Sequence, residues 1–126
     1  MINALAMMQQ AAPQITMDEV VSNALKSQGE PNGVIVQYVP KTNRFISQGG
    51  QVRNALAARD PDGGEWILIN KDATGADLMP QTQHEVAHIL AWRRYGEKIK
   101  PHGSEFLRMC RQVVTERQNE FCRRGR

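Results

Sequence analysis

The chain has 126 residues, 40% apolar and 23% charged. That is enough for one domain, too little for two of ordinary size, and too balanced for a chain disordered by composition. The longest apolar stretch near the start, residues 4–8, falls short of the about 20 residues of a membrane span or the about 7 to 15 of a signal-peptide core, and no Lys or Arg precedes it. These features predict a single soluble domain over 1–126, no membrane partner, a reducing cytoplasm and a flexible segment over 1–13.

Net charge is +3, unevenly spread: residues 1–92 carry six Lys/Arg against nine Asp/Glu, and residues 93–126 carry ten against four. A basic end of this kind marks either an acidic or nucleic-acid partner surface or a solvated face. Arg117, Arg123 and Arg124 are the candidate nucleic-acid contacts, with weak binding and no sequence preference expected because aromatic stacking platforms are few.

Taken in order, residues 1–12 read as a weak terminal helix ending at Pro13. Thr16-Met17-Asp18-Glu19 fits a capping box, in which hydroxyl and carboxylate each satisfy an orphan backbone amide. Met17, Val20, Val21, Ala24 and Leu25 then recur at helical spacing, with Gly29 and Pro31 as the stop. Residues 34–39 are β-branched or aromatic at five of six positions and read as a strand. A turn at 41–44, a return strand starting at Phe45-Ile46 and interrupted by Gly49-Gly50, and a strand within 52–58 follow. Asp60-Pro61-Asp62-Gly63-Gly64 is dense turn chemistry, and Glu65 to Asn70 is the clearest strand. The simplest sheet is an antiparallel meander of about three strands. Asp77 is placed to cap the next helix, with Pro80 in its first turn and Gly96 ending it. A last helix is expected from Glu105 to about Arg123. The fold class is therefore α+β.

Cys110 and Cys122 lie twelve residues apart. On one continuous helix they would stand about 18 Å apart along the axis, beyond the about 7 Å a disulfide tolerates. Both are expected as small buried apolar residues.

His84-Glu85-Val86-Ala87-His88 is an HExxH motif. On a helix it places two imidazoles on one face, where they can grip one zinc, while Glu85 can reach a water on that metal as general base. Catalytic zinc usually takes three protein ligands and leaves a position for water. His102 is the favoured third, because all three histidines of the chain are then used; Glu105 and Glu116 are the competing carboxylates. Trp92 is expected as the apolar floor of the site, Tyr95 as core packing more than oxyanion stabiliser, and Asn70 as a strand or turn cap.

The stretches 65–70 (EWILIN), 83–90 (QHEVAHIL) and 102–107 (HGSEFL) together resemble the SprT-like, or Spartan-like, zinc metallopeptidases, over roughly residues 34–110. The resemblance implies a minimal zincin-like protease domain with an active-site HExxH helix, zinc ligands His84, His88 and His102, and Glu85 as catalytic base. With two cysteines the sequence is expected to lack the cysteine-rich zinc ribbon that often follows this core, and no appended ubiquitin- or DNA-binding module is expected.

The function expected is a zinc endopeptidase acting on a polypeptide substrate, some of it nucleic-acid-associated, that pairs with an exposed strand edge; residues 65–70 are the candidate edge. The alternatives are a zinc-containing binding or structural protein that uses its basic end on nucleic acid or a larger assembly, and metal-dependent hydrolysis of something other than protein.

Overall fold

The computed structural model describes residues 15–123; the expectations for 1–12 and for Arg124 lie outside them. The elements are α1 (Met17–Ser27), β1 (Val34–Val39), β2 (Ser47–Gln48), β3 (Gln51–Val52), β4 (Ala55–Arg59), β5 (Glu65–Asn70), α2 (Leu78–Tyr95), α3 (Ser104–Val113) and α4 (Gln118–Phe121). The Thr16 hydroxyl accepts from the Glu19 amide at 3.2 Å and so caps α1. The five apolar residues expected to face the core all do.

The sheet is mixed, in the order β1-β5-β4, with β1 parallel and β4 antiparallel to β5. Two expectations are corrected here. The meander is not wholly antiparallel, because the chain leaves β1, forms the β2-β3 hairpin as a separate two-stranded sheet, re-enters as β4 on the far edge, and turns back as β5 between β4 and β1, parallel to β1. Residues 65–70, in turn, are the central strand rather than an edge. Their sequence already carried the reason: Trp66-Ile67-Leu68-Ile69 is an unbroken apolar run, as strands covered on both faces require. Ile67 and Ile69 enter the main core, while Leu68 joins Val39 and Ile46 in a smaller cluster.

Phe45 and Ile46 lie in the turn before β2 rather than in a strand. Gly49 and Gly50 join β2 to β3 with φ of +59° and +79°, the positive pair that a two-residue hairpin turn demands. At the β4-β5 turn, Asp60 accepts from the amides of Asp62 and Gly64 at 3.0 and 2.8 Å and from the Trp66 indole at 3.2 Å.

α2 is the central helix and is buried on most of its surface, with Val86, Ala87, Ile89 and Leu90 packed between α1, the sheet and α3. Asp77 sits at its N-cap without a side-chain capping bond, because its carboxylate pairs instead with Arg117 at 2.6 Å. Gly96, at φ +88°, ends the helix as expected.

Arg93, on the same helix, forks onto the Glu65 carboxylate, with bonds of 2.6 and 3.0 Å, and donates to the Pro31 carbonyl. The two side chains are 17% and 9% exposed, so the pair is largely desolvated. Removing Glu65 leaves Arg93 only the longer contact to Glu30 at 3.4 Å and the Pro31 carbonyl, and Glu65→Ala should cost about 3 kcal/mol in urea unfolding, against about 1 kcal/mol for loss of the Thr16 cap in Thr16→Ala.

The continuous last helix is the third correction. α3 stops at Val113, Val114 is extended, and Arg117 adopts a left-handed conformation at φ +54°, which turns the chain back before α4. The reversal brings the cysteine Cα atoms to 5.8 Å, and Cys110 and Cys122 form a disulfide. Among the described residues no helix is long and apolar enough to cross a membrane.

Candidate metal centre

His84 and His88 lie one turn apart on α2, and His102 returns to them from the loop before α3. One ring nitrogen from each of the three lies within 4.8 Å of the others, a separation at which one metal ion can be held. Ring centroids are 5.0 Å apart for His84 and His88, 5.4 Å for His84 and His102, and 4.9 Å for His88 and His102. A three-imidazole set suits zinc, copper, iron or nickel rather than magnesium or calcium. Of the competing carboxylates, Glu116 is exposed, Glu105 accepts from its neighbour Ser104 at 3.4 Å, and neither belongs to the cluster.

The turn that delivers His102 depends on Gly103, whose amide donates to the Lys100 carbonyl at 3.1 Å and where a Cβ would meet Lys100 Cβ at 3.1 Å. Beneath the three rings lies Phe106, which is fully buried, stacks on His88 at 4.2 Å and touches His84 and His102 at 4.8 and 5.1 Å. Phe106, not Trp92, is therefore the main apolar floor; Trp92 stacks on His88 alone, at 5.9 Å. Tyr95 packs at the core's edge and accepts from Arg108 at 3.1 Å. Asn70 caps the turn after β5, accepting from the Asp72 amide at 3.0 Å.

Burial decides the protonation state of the cluster. It lowers the His84 pKa, against a raising bond to the Phe121 carbonyl, and lowers His102, where the Arg53 charge acts in the same direction. Burial and the two neighbouring rings push His88 down to about 3. All three rings are neutral at pH 7 and offer lone pairs, as metal ligation requires. His84 Nδ1 lies 2.7 Å from the Phe121 carbonyl oxygen. A carbonyl only accepts, so Nδ1 carries the proton and Nε2 is the nitrogen left free to bind a metal ion.

Glu85 Oε1 accepts from the Ala57 amide of β4 at 2.8 Å, and Oε2 lies 3.8 Å from His84 Nε2. Burial raises the Glu85 carboxyl to about 7, against lowering by the Ala57 amide and the Arg53 charge. A cleft of about 490 Å³ opens here, lined by Arg53, Asn54, Ala55, Gln81, His84, Glu85 and Phe121 among others. The Phe121 carbonyl, the Ala57 amide and Arg53 are the groups that sequence reasoning missed. Two are backbone atoms of apolar residues, which leave no mark in a sequence.

The basic end is only partly free. Arg117 is held by Asp77 and Glu120, each at 2.6 Å, and lies over the Phe121 ring, whereas Arg123 is exposed.

The sequence pattern of the SprT-like family matches residues 68–124. It begins inside β5 and runs past α4, so residues 34–67 of the resemblance lie outside it. Protein SprT of Salmonella arizonae is 40% identical over 48 residues, 38% of this chain and 27% of that protein, so the aligned stretch spans about a quarter of the relative's length. No solved structure matches. The matched segment contains both histidines of α2, Glu85, His102 and Phe106, so the part of the chain that carries the site is similar to the SprT-like family and to Protein SprT.

Proposed function

We propose that the protein is a zinc metallopeptidase of zincin-like architecture, with His84, His88 and His102 as ligands and Glu85 as general base. The observation that carries the reading is the joint placement of three neutral imidazoles close enough to share one metal ion and, beside them, the buried Glu85 carboxylate, which lines one cleft together with His84. A structural metal site has no use for that carboxylate. Bound zinc would polarise a scissile carbonyl and acidify water. Glu85 Oε1 is tethered to Ala57, which leaves Oε2 to take a proton from water and pass it to the leaving amine.

β4, not β5, is the edge that substrate meets. Leu56 and Ala58 stand opposite Leu68 and Trp66 of β5, and the flanking Asn54 and Asp60 bond across to Asn70 and Gly64. By alternation, Ala55 and Ala57 turn their backbone groups outward. That orientation agrees with the Ala57 amide reaching Glu85. An extended polypeptide can add there as a further strand, main chain to main chain.

Cleavage of an unfolded polypeptide such as denatured casein, abolished by a chelator and restored by one equivalent of zinc, is the expected result. Loss of cleavage without zinc-dependent recovery counts against the reading. A nucleic-acid-associated substrate belongs to the same proposal, supported by the basic charge of residues 93–126. Stimulation by duplex DNA at low salt that vanishes at high salt is its signature. Zinc binding without cleavage, with or without DNA, favours a binding protein on the same fold.

A further inference from the structure

The segment after α3 has no share in the HExxH motif, yet it holds one of its histidines. Phe121, the last residue of the four-residue α4, presents its carbonyl to His84 Nδ1 at 2.7 Å. Cys110 Sγ approaches the same oxygen at 3.7 Å. The next residue, Cys122, is covalently joined to Cys110 on α3, and both are buried. At its other end the segment is held by Gln83, whose amide exchanges bonds with Thr115 at 3.1 and 3.2 Å, and by Arg117 on Asp77. Those contacts fix residues 115–117. Three residues of short helix, 118–120, separate them from Phe121; Gln118 Nε2 donates to the Arg111 and Val114 carbonyls and the Phe121 ring enters the core, but a single helical turn is not stable by itself in water.

We propose that the Cys110–Cys122 disulfide is a positioning latch for the metal centre: it holds the Phe121 carbonyl on His84, fixing the Nδ1–H tautomer and the ring orientation that aim Nε2 at the metal. The inference rests on the three-histidine metal site and not on peptidase activity. An outer carbonyl that orients a ligating histidine is worth about 10- to 100-fold in metal affinity. The latch ties that gain to redox state, since a compartment that keeps thiols reduced opens it. Opening by a trialkylphosphine is balanced as follows: the S–S bond breaks, two electrons pass from phosphorus to the sulfurs, water supplies the phosphine oxide oxygen, and its two protons complete the thiols.

The test compares zinc affinity, by competition with a chromophoric chelator, in three samples: oxidised wild type, wild type reduced by phosphine and desalted anaerobically, and the Cys110→Ala/Cys122→Ala variant. Thiol titration verifies the redox state. The expected result is a fall in affinity of about tenfold or more in both bridge-free samples, recovery on reoxidation of the wild type, and unchanged far-UV circular dichroism. In the metal-free protein, long-range ¹⁵N–¹H correlation should show His84 losing its single Nδ1–H tautomer when the bridge is absent. Equal zinc affinity in all three samples overturns the latch. So does a fall accompanied by loss of helical signal, which makes the bridge a general stabiliser. Failure of the oxidised wild type to bind zinc overturns instead the metal site beneath the proposal.

Discussion

Glu85→Gln is expected to retain zinc and fold while lowering peptide hydrolysis by about 10²- to 10⁴-fold, the range that a positioned general base contributes. The amide preserves the shape of the side chain and can still accept from the Ala57 amide through its oxygen, the bond that Glu85 Oε1 makes at 2.8 Å. It cannot take a proton. Zinc content measured beside the rate of casein cleavage separates this outcome from loss of metal. Turnover equal to wild type would remove Glu85 from the chemistry, whereas lost turnover together with lost zinc would make the residue a part of the metal site's framework.

His102→Ala is expected to weaken zinc binding more than the about 10- to 100-fold of an outer-shell loss, because one of three ligands is gone and the remaining two sit on one helix. The thermodynamic consequence is readable without any activity assay. Metal at a hundred times its dissociation constant stabilises a folded protein by about 2.7 kcal/mol, so the zinc-dependent rise in melting temperature seen for wild type should shrink or vanish. Glu105→Ala is the control. Its carboxylate lies beside Ser104 and outside the histidine cluster, and the variant should bind zinc as wild type does. The reverse pattern would transfer the third ligand from His102 to Glu105.

What the sequence determined by itself was the local chemistry. Thr16 and Glu19 mark a helix start because a hydroxyl and the third amide beyond it are bonding neighbours in any chain that turns there. Gly96 ends α2 because the position needs φ +88°. The i, i+4 spacing of His84 and His88 puts both rings on one face of whatever helix carries them, and the scarcity of histidine pointed to His102 as the partner before any contact was visible. The composition and the alternation of helical and strand patterns were enough for the α+β class.

The tertiary structure decided what depends on residues distant in sequence meeting. Whether β5 lies at an edge or in the centre depends on where β1 pairs, and parallel pairing across an excursion through a separate hairpin has no local signal. The disulfide was hidden because residues 105–123 carry a helical pattern throughout, and the break at Val114 and Arg117 is held by contacts from another element, Gln83 to Thr115 and Asp77 to Arg117. With those contacts in place, a left-handed residue that costs roughly 1 to 3 kcal/mol is tolerated. Helical spacing points to Trp92 as the floor under the histidines, yet Phe106 of α3 occupies it, stacked on His88 and meeting His84 and His102 at steeper angles, since contact with rings from two segments is a matter of how helices pack. The Ala57 amide and the Phe121 carbonyl are backbone atoms of ordinary apolar residues. Their roles toward Glu85 and His84 exist only because the sheet edge and the turned-back C-terminal segment are brought to the same helix.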